Sequence, residues 1–540
     1  MTSKSDAVPT SQDFRRDADW FLAVLATLAV LALHGYFLSR VGGLGRDEVN
    51  SITIAQGEPR NFTHDAFPVL FPLLLRGWSA FGLGESDLAV RCFGGLMGLG
   101  LTAVFWLAAW WTRRAPPLWS LVLVALNAWV ICYADWLRAY GLGSAMIAFC
   151  AAAAWHFVQC PEKKTWLIFA AAAVLSVQAL YQNSVLVAAV CGAAGAVSLR
   201  RKNIKLTVAV LFAGLTALIS LLPYWHNIAG MPQAASPLRM DFDRVIALNN
   251  LDTLLAYPLP QFIWVWSLLA GVVLLRAVAG CFSAQGDDRS LFAAVAMISG
   301  AAAFWIFLQL ARFPVQPWYF LPPMTLSAVC LEAALPRPAG RFRALLWGGL
   351  AAAAAVSVLF GVRVLDYHFT NVDLFAKKIA ASAGRNDFVV VTPWEIGITF
   401  SRYFKSPCAW TTVPPMSDHS CHRYDLLQLQ MQNTNAMQTV LERIADTLRS
   451  GGTVWVVGGI NEADGTNAPA ALPPPPLPNS GWNETPYSIT WNNQLGWLLR
   501  HSSTNIECLD RGHEENLNLN ERAALSRVTG WKDRTKNFSQ

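Results

Sequence analysis

The segment "GRDEVN" (45–50) places two adjacent carboxylates, Asp47 and Glu48, and the arginine Arg46 directly after a long apolar run. Shortly afterwards "THDAFP" adds His64 and Asp65. Further along, Arg138 in "YADWLRAY" and Arg312 in "RFPVQPWYFLPP" stand at the ends of apolar runs beside aromatic residues, Tyr133 and Tyr140 for the first, Trp318 and Tyr319 for the second. A guanidinium grips phosphate oxygens in a fork and does not deprotonate, so this arginine pair suits a phosphate or pyrophosphate carried on a lipid. A charge near the bilayer is costly, roughly 2.5–3.5 kcal/mol at a helix centre and less toward the interface, so each of these arginines needs a partner. The alternative is snorkelling to headgroups within an aromatic belt. Tyr133, Tyr140, Tyr319 and Tyr181 of "YQN" fit either a pocket lining or that belt.

A carboxylate beside arginines that hold a departing phosphate has the chemistry for direct displacement at a sugar carbon, taking a proton from an acceptor hydroxyl as the phosphate leaves. If "DEVNSITIAQGE" is helical, Asp47 and Glu48 point about 100° apart and cannot share one role. One then faces a cavity, and the other faces solvent or caps the helix start, where acids are favoured. His64 and Asp65 with Asp47 form a candidate set for a divalent metal, although one histidine with unspaced carboxylates is a weak signature.

The elements that must position these residues follow from composition. Of 540 residues, 54% are hydrophobic and 14% charged, against about 25% charged in a soluble domain. About eleven apolar runs of bilayer-spanning length recur between Trp20 and Val362. With a cytoplasmic N-terminus (1–18), one side receives "RR" (15–16), "TRRAPP", "CPEKK", "LRRKNIK" and "PRPAGRFR", and the other receives isolated arginines. That asymmetry is the positive-inside pattern. It predicts an α-helical polytopic membrane domain over 19–365 whose first external loop (40–87) carries Asp47 and Glu48. An odd number of spans leaves 366–540 outside, in the periplasm if the membrane is a bacterial inner membrane. The first run is too long and lacks the small-residue site of a cleaved signal. The net charge of +6 is scattered over short loops, so nucleic acid is not an expected partner.

The succession of motifs resembles the GT-C class of membrane glycosyltransferases that use polyprenyl-phosphate sugars, which includes protein O-mannosyltransferases, lipid A aminoarabinose transferases and galacturonic-acid transferases. Asp47-Glu48 match the acids opening the family's first external loop, which supply its catalytic carboxylate. "DAFPVLFPLLLRGW" (65–78), with Asp65, Pro68 and Trp78, resembles the segment that follows. "GESDLAVR" places Arg91 in an arginine position, and Tyr133, Ala134, Arg138 and Tyr140 match a later motif. "RFPVQPWYFLPP" approximates a late element with Arg312 and Tyr319. Phe67 stands where the family carries histidine, Trp136 at a glutamate position with Asp135 shifted by one, and "YQN" where many members read His-Tyr. The resemblance implies inverting transfer from a polyprenyl phosphate on the external face, with lipid A or its core, a glycan, a lipid or a protein as acceptor.

Beyond 366, "NVDLFAKKIAASAGRNDFVVVTPWEIGITFSRYF" and "DLLQLQMQNTNAMQTVLERIADTLRSGGTVWVVGGI" both run helix then strand, which predicts a C-terminal α/β domain with "DFVVVTP" and "TVWVVGG" as central parallel strands. No G-x-G-x-x-G follows either strand, which argues against dinucleotide binding. "NAPAALPPPPLPNS" reads as an extended loop. Cys408 and Cys421 are candidates for a disulfide in an oxidising compartment, with Cys508 a third. The charges of this domain form no recognisable constellation, so the expectation is a lid or docking platform without chemistry. Two other functions stay open: a polymerase or ligase of lipid-pyrophosphate glycans, and a lipid transporter. A transporter predicts ionisable residues at mid-membrane and similar halves; here the charges lie at span ends.

Overall fold

A computed structural model describes residues 11–57, 67–234, 236–238, 240–283, 286–336, 341–460, 471–478, 480–512, 516–518 and 520–532. His64 and Asp65 lie outside the described residues. The membrane part begins with α1 (Ser11–Arg40), α2 (Arg46–Gln56), α3 (Leu70–Trp78), α4 (Asp87–Arg113), α5 (Leu118–Ser120), α6 (Ala128–Asp135) and α7 (Tyr140–Gln159). It continues through α8 (Lys163–Ala179), α9 (Asn183–Arg200), α10 (Ile204–Ile219), α11 (Trp225–Ala234), α12 (Arg244–Leu255), α13 (Phe262–Phe282), α14 (Asp288–Ala311), α15 (Leu321–Ala334) and α16 (Arg341–Leu365).

All the predicted apolar runs fall in helices. Eight helices among the described residues are long and apolar enough to cross a membrane, and a bent pair, Leu118–Ala125 with Ala128–Asp135, is a candidate ninth. At 17 and 14 residues, α8 and α15 are shorter than the ~20 a full crossing takes. The 76° bend in the pair falls at Asn127. Its side chain turns from the helix path to cap α6, accepting from Trp129 N at 3.0 Å, and donates to the Leu254 carbonyl at 2.8 Å. In its most apolar window α7 is 83% buried, against 17% for α16 and 22% for α13. It is therefore the central column, and the outer helices present apolar side chains as bilayer solvent would require.

Close approach between α4 and α6 depends on Gly94 and Gly98. A Cβ at either position would overlap Asp135, its carbonyl in the first case and its carboxylate in the second. Asp135 is thereby seated against His34 of α1 at 2.8 Å, both side chains nearly inaccessible.

The C-terminal part is α/β: α17 (Val372–Ser382), β1 (Phe388–Val391), α18 (Ile396–Tyr403), β2 (Ala409–Thr412), α19 (Tyr424–Gln432), α20 (Gln438–Arg449), β3 (Val454–Val457), α21 (Glu484–Ser502), β4 (Ser503–Asp510) and β5 (Leu525–Trp531). The sheet order is β2-β1-β3-β5-β4. β1 pairs in parallel with β2 and β3, and β5 is antiparallel to both β3 and β4. "FVVV" and "VWVV" are buried along their whole length, as strands covered on both faces must be.

This domain is fastened to the membrane part at one end of the bundle. Asp87, at the start of α4, accepts from Arg402 at 2.7 Å and from the Tyr403 hydroxyl at 2.6 Å. The same hydroxyl accepts from Leu44 N at 2.7 Å. Phe369 N donates to the Val41 carbonyl at 3.1 Å. Glu521 accepts from Arg46 N at 2.9 Å and from the Thr399 hydroxyl at 3.2 Å.

The Glu521 junction carries a pH signature. Burial, opposed by Arg46, pushes its carboxyl from the usual 4.5 up to about 7. A raised acid stabilises the fold fully below its unfolded value, and the benefit is lost as pH rises through the folded one. Thermal melts of the purified protein are expected to lose stability between pH 4.5 and 7, and Glu521→Gln is expected to flatten that slope; an unchanged slope in the variant would place it elsewhere.

Candidate active site

The site is built on α2. Gly45 caps it with extended backbone (φ −75°, ψ 167°), and both acids occupy its first turn, where the helix dipole favours negative charge. Glu48 folds back on its own helix start, its Oε2 accepting from Gly45 N at 2.9 Å. Arg91 of α4 meets the same carboxylate with both prongs, at 2.8 Å to Oε1 and 2.9 Å to Oε2. Arg91 also donates to the Gly43 carbonyl at 2.6 Å, and Leu137 N reaches Glu48 Oε1 at 3.4 Å. The Glu48 side chain is wholly buried and that of Arg91 almost so. Burial pushes the Glu48 carboxyl up, against the pull of Arg91 and two backbone N–H donors. With its oxygens engaged in this way, Glu48 is a structural acid.

Asp47, one position earlier, points elsewhere, and its side chain is 27% exposed. His422, from the loop between β2 and α19, brings its Nε2 to 3.0 Å from Asp47 Oδ1. His422 is itself fixed: its backbone N–H donates to Asn50 Oδ1 at 3.0 Å, and its ring stacks on Tyr424 at 5.7 Å, edge-on to Trp394 at 6.2 Å. Arg138 lies on the other side, donating to the Ser51 hydroxyl at 3.3 Å and weakly, at 3.5 Å, to the Asp47 carbonyl. Its guanidinium covers the Phe67 ring at 4.4 Å. Burial acts to raise the Asp47 carboxyl, but Arg138, the His422 bond and Arg46 outweigh it and hold Asp47 well below the usual carboxylate range.

Aromatic side chains wall the space beside Arg138. Tyr140 meets Phe67 edge-on at 5.4 Å and lies 6.0 Å from Tyr319. Trp318 packs against Tyr133 at 5.5 Å and Trp136 at 4.8 Å. Tyr133, Tyr140 and Tyr319 therefore share one aromatic cluster with Arg138. Tyr181 packs on Tyr224 at 5.8 Å, and the neighbouring Gln182 reaches the Tyr319 carbonyl at 3.4 Å. Arg312 is exposed at the end of α14, in left-handed backbone (φ 52°), its carbonyl accepting from Met240 N at 3.0 Å. Among the described residues, no hydrogen bond or ion pair joins Arg312 to Asp47, Ser51 or Arg138.

Two expectations for the C-terminal domain change. The platform without chemistry supplies His422, 375 positions from Asp47 in sequence. The only signal for it was a histidine two positions before a tyrosine in "CHRY", and no spacing rule connects that to α2. Cys408 and Cys421 are free thiols; Cys408 is turned toward the Asp387 carbonyl, Sγ to O 3.2 Å, so no bridge closes this loop. Among the described residues, no group of three or more His, Cys, Asp or Glu side chains is arranged to hold a metal. Asp47 and His422 supply two donors, and the expected contributions of His64 and Asp65 lie outside the described residues.

The architecture, a helical bundle of apolar spans with an α/β domain over one end, is GT-C-like, the fold of a class of membrane glycosyltransferases. No protein-family model matches the chain, and no curated protein matches its sequence. Among solved structures, ArnT from Cupriavidus metallidurans bound to undecaprenyl phosphate aligns with a TM-score of 0.50 at 14% identity, over 80% of this chain and 92% of that one. The same protein in the apo state aligns with a TM-score of 0.50 at 13% identity over the same shares. At such identity the likeness establishes the fold alone.

The buried pair makes a sharp stability prediction. Arg91→Met leaves the Glu48 charge without its partner and is expected to cost about 3–5 kcal/mol. Adding Glu48→Leu is expected to recover much of that loss, because no unpaired charge then remains. Denaturation of the wild type, both single variants and the double variant in one detergent tests this; independent, additive losses would refute the coupling.

Proposed function

We propose that this protein is an inverting glycosyltransferase that moves a sugar from a polyprenyl-phosphate donor to an acceptor hydroxyl or phosphate. The reading places the reaction on the external face of a bacterial inner membrane, with the C-terminal domain in the periplasm and lipid A or its core, a glycan, a lipid or a protein as acceptor. The observation that carries it is Asp47, an ionised and partly open carboxylate held between Arg138 and His422 at the domain-covered end of the bundle. The GT-C-like fold, and the undecaprenyl phosphate held by ArnT, support a lipid-phosphate donor. The lysine and arginine asymmetry of the loops supports the orientation.

In the proposed reaction Asp47 accepts the proton of the acceptor O–H while that oxygen attacks the anomeric carbon from the face opposite the phosphate. The carbon–oxygen bond to phosphate breaks with its electron pair on the departing polyprenyl phosphate, whose charge Arg138 stabilises. Arg138 also holds Asp47 low in the resting protein. A donor phosphate that takes up the guanidinium's charge relaxes that hold, and Asp47 becomes a better base when the donor is in place. His422 fixes the direction of the carboxylate, and the aromatic cluster of Tyr133, Tyr140 and Tyr319 forms an apolar wall for sugar or prenyl carbons.

Release of free polyprenyl phosphate from a panel of polyprenyl-phosphate sugars, with envelope extract as acceptor, tests the reading. One donor is expected to turn over, with loss of about 10²–10⁴-fold in Asp47→Asn. His422→Ala is expected to lower kcat more than it raises KM. Undiminished turnover in Asp47→Asn would remove Asp47 as the base, and an intact protein that consumes no donor would overturn the reading in favour of pyrophosphate donors or transport.

A further inference from the structure

The opposite end of the bundle, away from Asp47, holds a second charged feature. A cavity of about 790 Å³ opens there among the ends of α4, α7, α13, α14 and α15, lined by Trp155, Arg201, Arg276, Asp287, Asp288 and Arg289 among others. Two ion pairs form inside it: Arg276 to Asp287 at 2.6 Å and Arg201 to Asp288 at 2.8 Å. Arg200 stands against the same wall, donating to the Gly280 carbonyl at 2.7 Å. It occupies the space of an absent side chain, since a Cβ on Gly286 would overlap its guanidinium. One terminal nitrogen of Arg200 is buried without a hydrogen-bond partner, and its nearest carboxylate, Asp288, is 3.8 Å away. Among the described residues, Arg201, Arg276 and Arg289 line the cavity against Asp287 and Asp288, with Arg113 in the same lining and Arg200 set against its wall at Gly280 and Gly286, leaving an excess of positive charge at one cavity. Arginines that serve only to orient a membrane protein need lie no closer together than their loops; these come from three helices, the end of α9 (Arg200, Arg201), α13 (Arg276) and α14 (Arg289), to a shared wall.

The flank of this cavity indicates the kind of anion. On α13, beside Arg276, the side chains of Leu268, Leu275, Val278 and Phe282 are 68, 72, 58 and 88% exposed. Their spacing places them on one face of the helix, an apolar stripe about a quarter turn round from the face whose Arg276, Ala279, Gly280 and Ser283 line the cavity. We propose that the cavity binds the phosphate headgroup of an anionic phospholipid whose acyl chains run along this stripe of α13. Guanidinium groups are suited to the phosphate, and basic pockets between membrane helices hold anionic headgroups in this way. The site is at the far end of the bundle from Asp47 and stands whatever reaction Asp47 performs.

The test uses the full chain in nanodiscs of phosphatidylcholine with increasing phosphatidylglycerol, read by thermal stability and by lipids retained in native mass spectrometry. A saturable rise in melting temperature and one retained phosphatidylglycerol are expected, with affinity about fivefold weaker in Arg200→Gln and in Arg289→Glu. Phe282→Ala, at an exposed position, is expected to weaken retention without disturbing the fold. Wild-type affinity in both arginine variants would overturn the site, and full retention in Phe282→Ala would overturn the acyl path. Equal protection by inorganic phosphate in pure phosphatidylcholine would overturn the assignment to a lipid.

Discussion

The arrangement at the domain-covered end depends on the ion pair between Glu48 and Arg91. Both groups are out of water, where an unmatched charge costs several kcal/mol and a matched, hydrogen-bonded pair is tolerated. The geometry meets that condition, since the guanidinium takes both carboxylate oxygens and also the Gly43 carbonyl. The pair therefore locks α2 to α4 at one rotation about its axis. Because neighbouring helical positions diverge by about 100°, that rotation also decides where Asp47 points. A structural acid and an open acid stand side by side, and the first orients the second.

The C-terminal domain completes what α2 begins. It grips the membrane part through Asp87, Arg46 and the turn between α1 and α2, and those contacts deliver His422 to Asp47. A loop histidine alone is a poor positioning device, because ordering it costs conformational entropy. Here that cost is met by the stack on Tyr424, the edge contact with Trp394 and the backbone bond to Asn50. Asn50 lies one turn beyond Asp47 on the same helix, so the two ends of the His422 contact are rigid with respect to each other.

Charge is distributed unevenly between the two ends of the bundle. At the domain-covered end each ionised group acts on a few neighbours in close geometry, and Arg138 is shared among Ser51, the Asp47 carbonyl and the Phe67 ring. At the other end arginines outnumber aspartates around a cavity with an apolar flank. Between them, the described helices bury few ionisable groups, and the His34–Asp135 pair shows what seating one takes: a partner at 2.8 Å and two glycines to make room.

Run length and composition determined the membrane class, the location of the apolar helices and the α/β character of the C-terminal part, because these follow from local periodicity and from the thickness of a bilayer. The same local physics identified Asp47 and Glu48 as acids of divergent roles, but helical geometry alone did not say which would be buried. That depended on Arg91, 43 positions away, and so on how α4 packs. The pairing of Arg138 with Arg312, the bridge between Cys408 and Cys421, and the domain without chemistry were all inferred from residue type and sidedness, which carry no distance information. The tertiary structure set Arg138 among aromatics, left Arg312 at a helix end, turned Cys408 toward a carbonyl and brought His422 to Asp47. Contacts across hundreds of residues are settled by the packing of whole elements, and only the folded chain decides them.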